Sequence, residues 1–270
     1  MKSFIRFLIF SNIWVAFCVL AFALSSELLL ETANHQISKF VFFATVFTYN
    51  FQRVVRIWNG ANHMRKDWLL KYRVTIHSLI LLGGIMSGYY FSQFQTLTQI
   101  AILFSGVLSL LYPFGLRKIP FSKIFVISFV WTISTMLLLV LENNILITQN
   151  VVLHLVSRFL FVFAITIPFD IRDLKYDTQN LQTIPLFFGT KKARFMAVIS
   201  VFICAIIAIL QYFENTVISS NLLALILLYF VASIFIVKSD ENKSEMYFSF
   251  WIESLSILAY LVLIISGLIF

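Results

Sequence analysis

Nine apolar runs, most of them long enough to span a bilayer, follow one another along 270 residues. They lie near 4–24, 38–58, 74–92, 98–113, 123–141, 148–168, 193–212, 220–238 and 247–269. Each helical residue advances only about 1.5 Å, so about 20 apolar residues are needed to cross the hydrocarbon core. A backbone in lipid must satisfy its own hydrogen bonds, and helices do so within one segment. The expected architecture is therefore an all-α integral membrane bundle of nine transmembrane helices, forming one polytopic domain over 1–270. Charged residues make up 12% of the chain, about half of what a soluble domain carries. No small-residue cleavage site follows the first run, which is expected to be a true span and not a signal peptide.

A net charge of +8 invites a nucleic-acid reading, but the distribution argues against one. With the N-terminus in the cytoplasm, eighteen of the twenty basic residues fall on inner segments, while Glu27, Glu31, Glu142 and Glu214 fall on outer turns. That asymmetry is the positive-inside pattern, so the basic excess reports topology and implies no nucleic-acid partner. The expected setting is a bacterial inner membrane, with membrane lipids as neighbours and the chemistry at the cytoplasmic face. Cys18 and Cys204 lie in different spans and suit buried apolar positions. The four histidines show no metal-ligand spacing, and the chain has no glycine-rich phosphate loop, Cys-x-x-Cys pair or nucleophile elbow.

The chemistry-bearing residues concentrate on three inner segments, near 48–73, 112–123 and 170–192. In the last, Asp170, Asp173 and Asp177 stand three, four and seven residues apart, on one helical face. Three like charges on one face repel unless a cation joins them, and hard oxygen ligands of this kind suit Mg²⁺ holding a substrate phosphate. A solvated loop with scattered acids is the plainer alternative. The second span ends on a polar stripe of Tyr49, Gln52 and Arg56, with Asn50 and Arg53 beside it. Such a stripe lines a cavity or consists of arginines snorkelling at the boundary. Tyr112 to Lys123 form a proline-restricted basic loop carrying Arg117, Lys118 and Lys123, which taken alone suits a headgroup anchor. Pro168 is expected to free a carbonyl and bend the inner end of the sixth span. Arg158 and Glu253 lie inside spans, and an intramembrane arginine wants a partner, so the two are expected to pair or to share one polar cavity.

These residues resemble the UbiA superfamily of intramembrane prenyltransferases. Asp170-Ile-Arg-Asp173-Leu-Lys-Tyr-Asp177 is similar to the family's second motif, D-x-x-D-x-x-x-D. Thr183-Ile-Pro185 and Phe188-Gly189-Thr-Lys191-Lys192-Ala193 follow it as K-T-[IL]-P and L-G-x-K-x-A do in the family, with Gln182 in place of the lysine. Tyr112, Leu116-Arg117-Lys118 and Pro120 resemble its Y-S…L-K-R-x-P loop. The departure lies in the first motif, N-D-x-x-D-R-x-x-D, which aligns with Thr48 to Arg56 through Arg53. Its three aspartates become Tyr49, Gln52 and Arg56.

The resemblance implies a nine-helix bundle whose cytoplasmic loops cap a central cavity. It also implies a polyprenyl diphosphate donor, a lipid-soluble or aromatic acceptor, and Mg²⁺ on the diphosphate. With the first motif lost, it assigns one ion rather than two to Asp170 and Asp173. It gives Asp170, Asp173, Asp177 and Arg53 catalytic roles. Tyr49, Asn50, Gln52, Arg56, Tyr112, Arg117, Lys118, Arg172 and Lys191 are assigned to the substrate. Arg53 and Arg56 either replace metal charge on the leaving diphosphate or, in the case of Arg56, pair with Asp170 or Asp173 and silence the site. The function expected is prenyl transfer. The alternatives are an intramembrane terpene cyclase and a non-catalytic lipid-binding protein of the same fold. Nothing in the sequence shows the paired broken helices of a transporter.

Overall fold

The computed structural model describes residues 2–58, 65–111, 119–175 and 183–269, with no strand among the described residues. In chain order the helices are α1 (Lys2–Phe10), α2 (Ile13–Leu29), α3 (Gln36–Trp58), α4 (Lys66–Lys71), α5 (Arg73–Phe91) and α6 (Thr96–Leu111). Then α7 (Ser122–Thr132) passes through a π-helical turn, Ile133–Leu137, into α8 (Leu138–Glu142). Next come α9 (Gln149–Asp173), α10 (Ile184–Phe188), α11 (Thr190–Phe213) and α12 (Ser219–Val237). A second π-helical turn, Tyr247–Ile252, leads into α13 (Leu255–Ile269). The helices α2, α13, α12, α11, α9 and α7 pack in that order, and the Ile133–Leu137 turn closes the ring back onto α2. The largest core cluster lies within it, with Phe161, Ile167, Ala197, Cys204, Ala232 and Phe248 nearly or fully sealed. Outside the ring, α3 packs on α2 and α5 packs on α3.

Helix occupies most of each of the nine predicted runs over their described residues, but the expected count of nine spans is not established. Among the described residues, six helices are long and apolar enough to cross a membrane: Arg73–Phe91, Ser122–Glu142, Gln149–Asp173, Thr190–Phe213, Ser219–Val237 and Tyr247–Ile269. The pair α1 and α2 makes a seventh if its two arms are one span. Of the remaining two, α6 has 16 residues and α3 carries the polar stripe. The first run is also not straight. It breaks at Ser11 and Asn12, where the arms meet at 74° and Asn12 takes the left-handed conformation at φ 60°. Asn50 repairs the break by donating to the Ser11 carbonyl at 2.9 Å and to that of Val46 at 2.8 Å, and its oxygen accepts from Asn12 at 2.9 Å.

Two further expectations change. Glu27, assigned to an outer turn, is buried on α2 and bonded to His35 and Ser38, so it clamps the start of α3. Arg158 does not meet Glu253. Its Nη1 donates to the Phe22 carbonyl at 3.2 Å, and its Nη2 donates to Ser26 Oγ at 2.7 Å. Both Nη atoms reach Ser25 Oγ at 3.3 Å, and the guanidinium lies 3.6 Å from the Phe22 ring centroid.

The α3–α5 contact depends on a glycine. A Cβ at Gly83 would stand 2.9 Å from both the Phe43 carbonyl oxygen and the Phe47 amide nitrogen, which are backbone atoms that cannot swing aside. Close approach at a small residue is a common way for helices to associate in lipid. At neighbouring Gly84 the nearest atom to a Cβ is in the Phe47 ring, at 3.4 Å. Gly83→Ala is expected to destabilise the detergent-purified protein by about 1–3 kcal/mol, the range for overpacking. Gly84→Ala should leave the melting temperature within error, and thermal unfolding of the two variants side by side checks this.

Candidate functional site

The site forms where the end of α9 meets the start of α7. Helix α9 remains helical through Pro168 as far as Asp173, five residues beyond the predicted end of the span, so Asp170 and Asp173 stand on its last turns. Their spacing turns both carboxylates toward α7. Phe121, at φ 60°, sets that helix's first turn, and its ring packs against Phe187 at 5.7 Å and Phe188 at 6.0 Å on α10. This aromatic anchor fixes Lys123 opposite α9.

Lys123 Nζ lies 2.6 Å from Asp170 Oδ1 and 3.0 Å from Asp173 Oδ2, so one ammonium joins both carboxylates. The Asp170 side chain is 1% exposed, while Asp173 is partly open. Arg172 completes the cluster through Nε and Nη2, each 2.8 Å from Asp173 Oδ1. Its guanidinium also rests over the rings of Phe169 and Phe248, at 5.3 and 5.8 Å. A short way off, Arg65 pairs with Glu245 and donates to the Ile9 carbonyl at 3.1 Å, closing the same end of the bundle. Half-buried Glu253 lies within electrostatic reach of Arg53, Arg65 and Arg172.

The residues expected from the sequence separate into groups. Asp170, Asp173 and Arg172 come together. Arg53 faces the same interior, within electrostatic reach of Tyr49 and Glu253. Tyr49 accepts from Trp131 Nε1 at 3.3 Å. Gln52 donates to the Ser109 carbonyl at 2.8 Å and so ties α3 to α6. Asn50 has both amide protons committed at the α1–α2 break, so it holds the scaffold and has no proton left to donate to a ligand. Lys191 is exposed on the first turn of α11 and joins no ion pair among the described residues. Asp177, Tyr112, Arg117, Lys118 and the Arg56 side chain lie outside the described residues. The sequence reading gave Lys123 to a headgroup anchor, yet it is the hub of the cluster. Its one sequence signal was a lysine at the first turn of an apolar run.

The UbiA prenyltransferase family matches residues 68–255, about seven-tenths of the chain. The protein belongs to the UbiA prenyltransferase family. A digeranylgeranylglyceryl phosphate synthase of Methanosphaera stadtmanae is 29% identical over 183 residues, which is 65% of this chain and 64% of that protein. This UbiA chain thus spans somewhat under two-thirds of that relative's length. Among solved structures, an apo UbiA homologue from Aeropyrum pernix K1 superposes with a TM-score of 0.69 at 12% identity, covering 94% of this chain and 97% of its own. A UbiA homologue from Archaeoglobus fulgidus, bound to GPP and Mg²⁺, gives 0.65 at 12% identity, covering 97% and 99%. At that identity these likenesses establish the UbiA fold. Asp170 and Asp173 therefore sit on a UbiA scaffold, joined by a lysine of the same chain.

Removing Lys123 leaves a fully buried carboxylate and its neighbour without the cation they share. Lys123→Met is expected to cost about 3 kcal/mol of stability, the lower end for breaking a buried pair by removing one partner. Adding Asp170→Asn to it should recover part of that loss, because the stranded charge goes too. A double-mutant cycle in melting temperature measures the coupling. Additive losses would show that the two groups do not sense each other.

Proposed function

We propose that the protein transfers a prenyl group from an isoprenoid diphosphate to a lipid-soluble or aromatic acceptor. The observation that carries this reading is the convergence of Asp170 and Asp173 on the Lys123 ammonium, within a segment that resembles the family's second motif, on a UbiA fold. Such a reaction breaks the bond between the donor's C1 and the diphosphate oxygen, which leaves with the electron pair. The acceptor atom then bonds to C1 and loses a proton. What a site must supply is positive charge at the departing oxygens and an apolar wall for the allylic chain.

Two carboxylates that share one cation fit a single divalent ion. Tyr49 and Gln52, at positions where the family's first motif carries aspartates, offer no carboxylate for a second. Mg²⁺ held by Asp170 and Asp173 would neutralise charge on the diphosphate. The protein's own share falls to Lys123, whose ammonium can exchange carboxylate for phosphate oxygens, and to Arg53 and Arg172, whose guanidinium groups can bind phosphate oxygens in pairs. Phe169 and Phe248 flank this cluster, next to Arg172. Because the Methanosphaera relative is a digeranylgeranylglyceryl phosphate synthase, a geranylgeranyl donor is the first to test.

Thermal unfolding in detergent with geranylgeranyl diphosphate, with and without Mg²⁺, tests the reading. Ligand at a hundred times its dissociation constant adds about 2.7 kcal/mol to the folded state, a readily measured rise in melting temperature. That rise is expected in the natural protein and should be lost in Asp170→Asn/Asp173→Asn. Prenyl transfer should fall by about 10²-fold in Asp173→Asn, the scale on which removing one electrostatic contact to a developing charge acts. No shift with donors of several chain lengths would mean that the carboxylates stay locked to Lys123 and Arg172, as in a protein that kept the fold without the chemistry.

A further inference from the structure

A second polar site lies on the same helix, away from the carboxylates. Arg158 precedes Asp170 by twelve residues on α9, about 18 Å along the axis. It faces a cavity of about 30 Å³ whose lining includes Ser25, His154, Ser157, Gln211 and Tyr229, with apolar walls from Leu225 and Leu263 among others. By the usual measure that is room for about two waters.

The charge balance of this cavity is incomplete. Arg158 is 6% exposed, and its four hydrogen bonds go to Ser25, Ser26 and the Phe22 carbonyl, all of them neutral. None of the four uses Nε. The two serine hydroxyls donate back to the Phe22 carbonyl, Ser25 at 2.7 Å, so their lone pairs are what they offer the guanidinium. No Asp or Glu lines the cavity, and Arg158 forms no ion pair among the described residues. His154, 4% exposed on the same wall, has a buried Nε2 with no hydrogen-bond partner. A cation taken out of water costs several kcal/mol unless an opposite charge accompanies it, and the Phe22 ring supplies only a fraction of that.

We infer that this cavity binds a small inorganic anion of halide size, held between Arg158 and His154 within the ring of α2, α9, α11, α12 and α13. The anion supplies the missing charge, and Nε2–H of His154 and Nε–H of Arg158 supply donors. A volume of about two waters suits chloride or bromide. The Tyr229 hydroxyl and Ser157 Oγ, 3.1 Å apart, bond to one another and complete a neutral polar wall.

The test uses the detergent-purified full chain, first without any variant. Melting temperature is followed as potassium chloride or bromide replaces potassium gluconate at constant ionic strength. A saturating, halide-specific rise of about 2 °C or more is expected. Bromide should give anomalous scattering beside Arg158 in crystals of the natural protein. His154→Phe, which keeps the fold's charge, should weaken the halide response at least tenfold in midpoint, and Arg158→Met should abolish it. Identical melting in halide and gluconate, or bromide density absent from the cavity, would overturn the inference and leave a pair of waters as its occupants. Neither result bears on the diphosphate reading, since the two sites share no residue.

Discussion

The arrangement at the end of α9 depends on keeping a carboxylate that is 1% exposed ionised at the edge of a membrane bundle. Asp170 can be held there only if a cation is brought to it, and the local structure achieves that. Pro185 starts α10, Gly189 at φ 81° turns the chain into α11, and the exposed rings of Phe187 and Phe188 lie against Phe121. The start of α7 is thereby fixed, and Lys123 with it. Without that anchor the lysine would have the freedom to reach water, which an ammonium on a four-carbon stem favours. The packing of three helix ends thus determines the electrostatics of the site.

The sequence carried different parts of this with different clarity. Apolar run length is a local property, and the helices followed from it, as did the pairing of Asp170 with Asp173 from their spacing. Arg172 stood in the motif and joined the cluster. Lys123 was legible only as a charge at a span boundary, because its role depends on how α7 packs against α9, fifty residues later. Asn50 stood beside the polar stripe and was assigned to the substrate, but its partner is a break in the chain thirty-eight residues upstream. The stripe also made α3 too polar to count as a span on its own. The proposed pairing of Arg158 with Glu253 failed because two serines on α2 were nearer, and nothing in the spacing along α9 could reveal them.

Counting charges at the Asp170 end shows what any anionic ligand would meet. Lys123, Arg53, Arg65 and Arg172 bring four positive charges, and Asp170, Asp173, Glu245 and Glu253 bring four negative ones, so the described cluster is formally neutral. A formally neutral cluster gives a diphosphate little long-range attraction, so the pull of its arginines is felt mainly at contact. Added positive charge would strengthen binding, and two sources are compatible with this chain. One is a divalent ion taking up Asp170 and Asp173, which releases Lys123 toward the phosphates. The other is the basic set that the sequence places on the neighbouring segments, Arg56, Arg117, Lys118 and Lys191. The first makes donor affinity follow the metal, and the second makes it follow ionic strength. Under the proposed reading, Tyr49, Gln52 and Arg56 bring no negative charge to the stretch that resembles the family's first motif, so a diphosphate there would need fewer metal charges for the same balance.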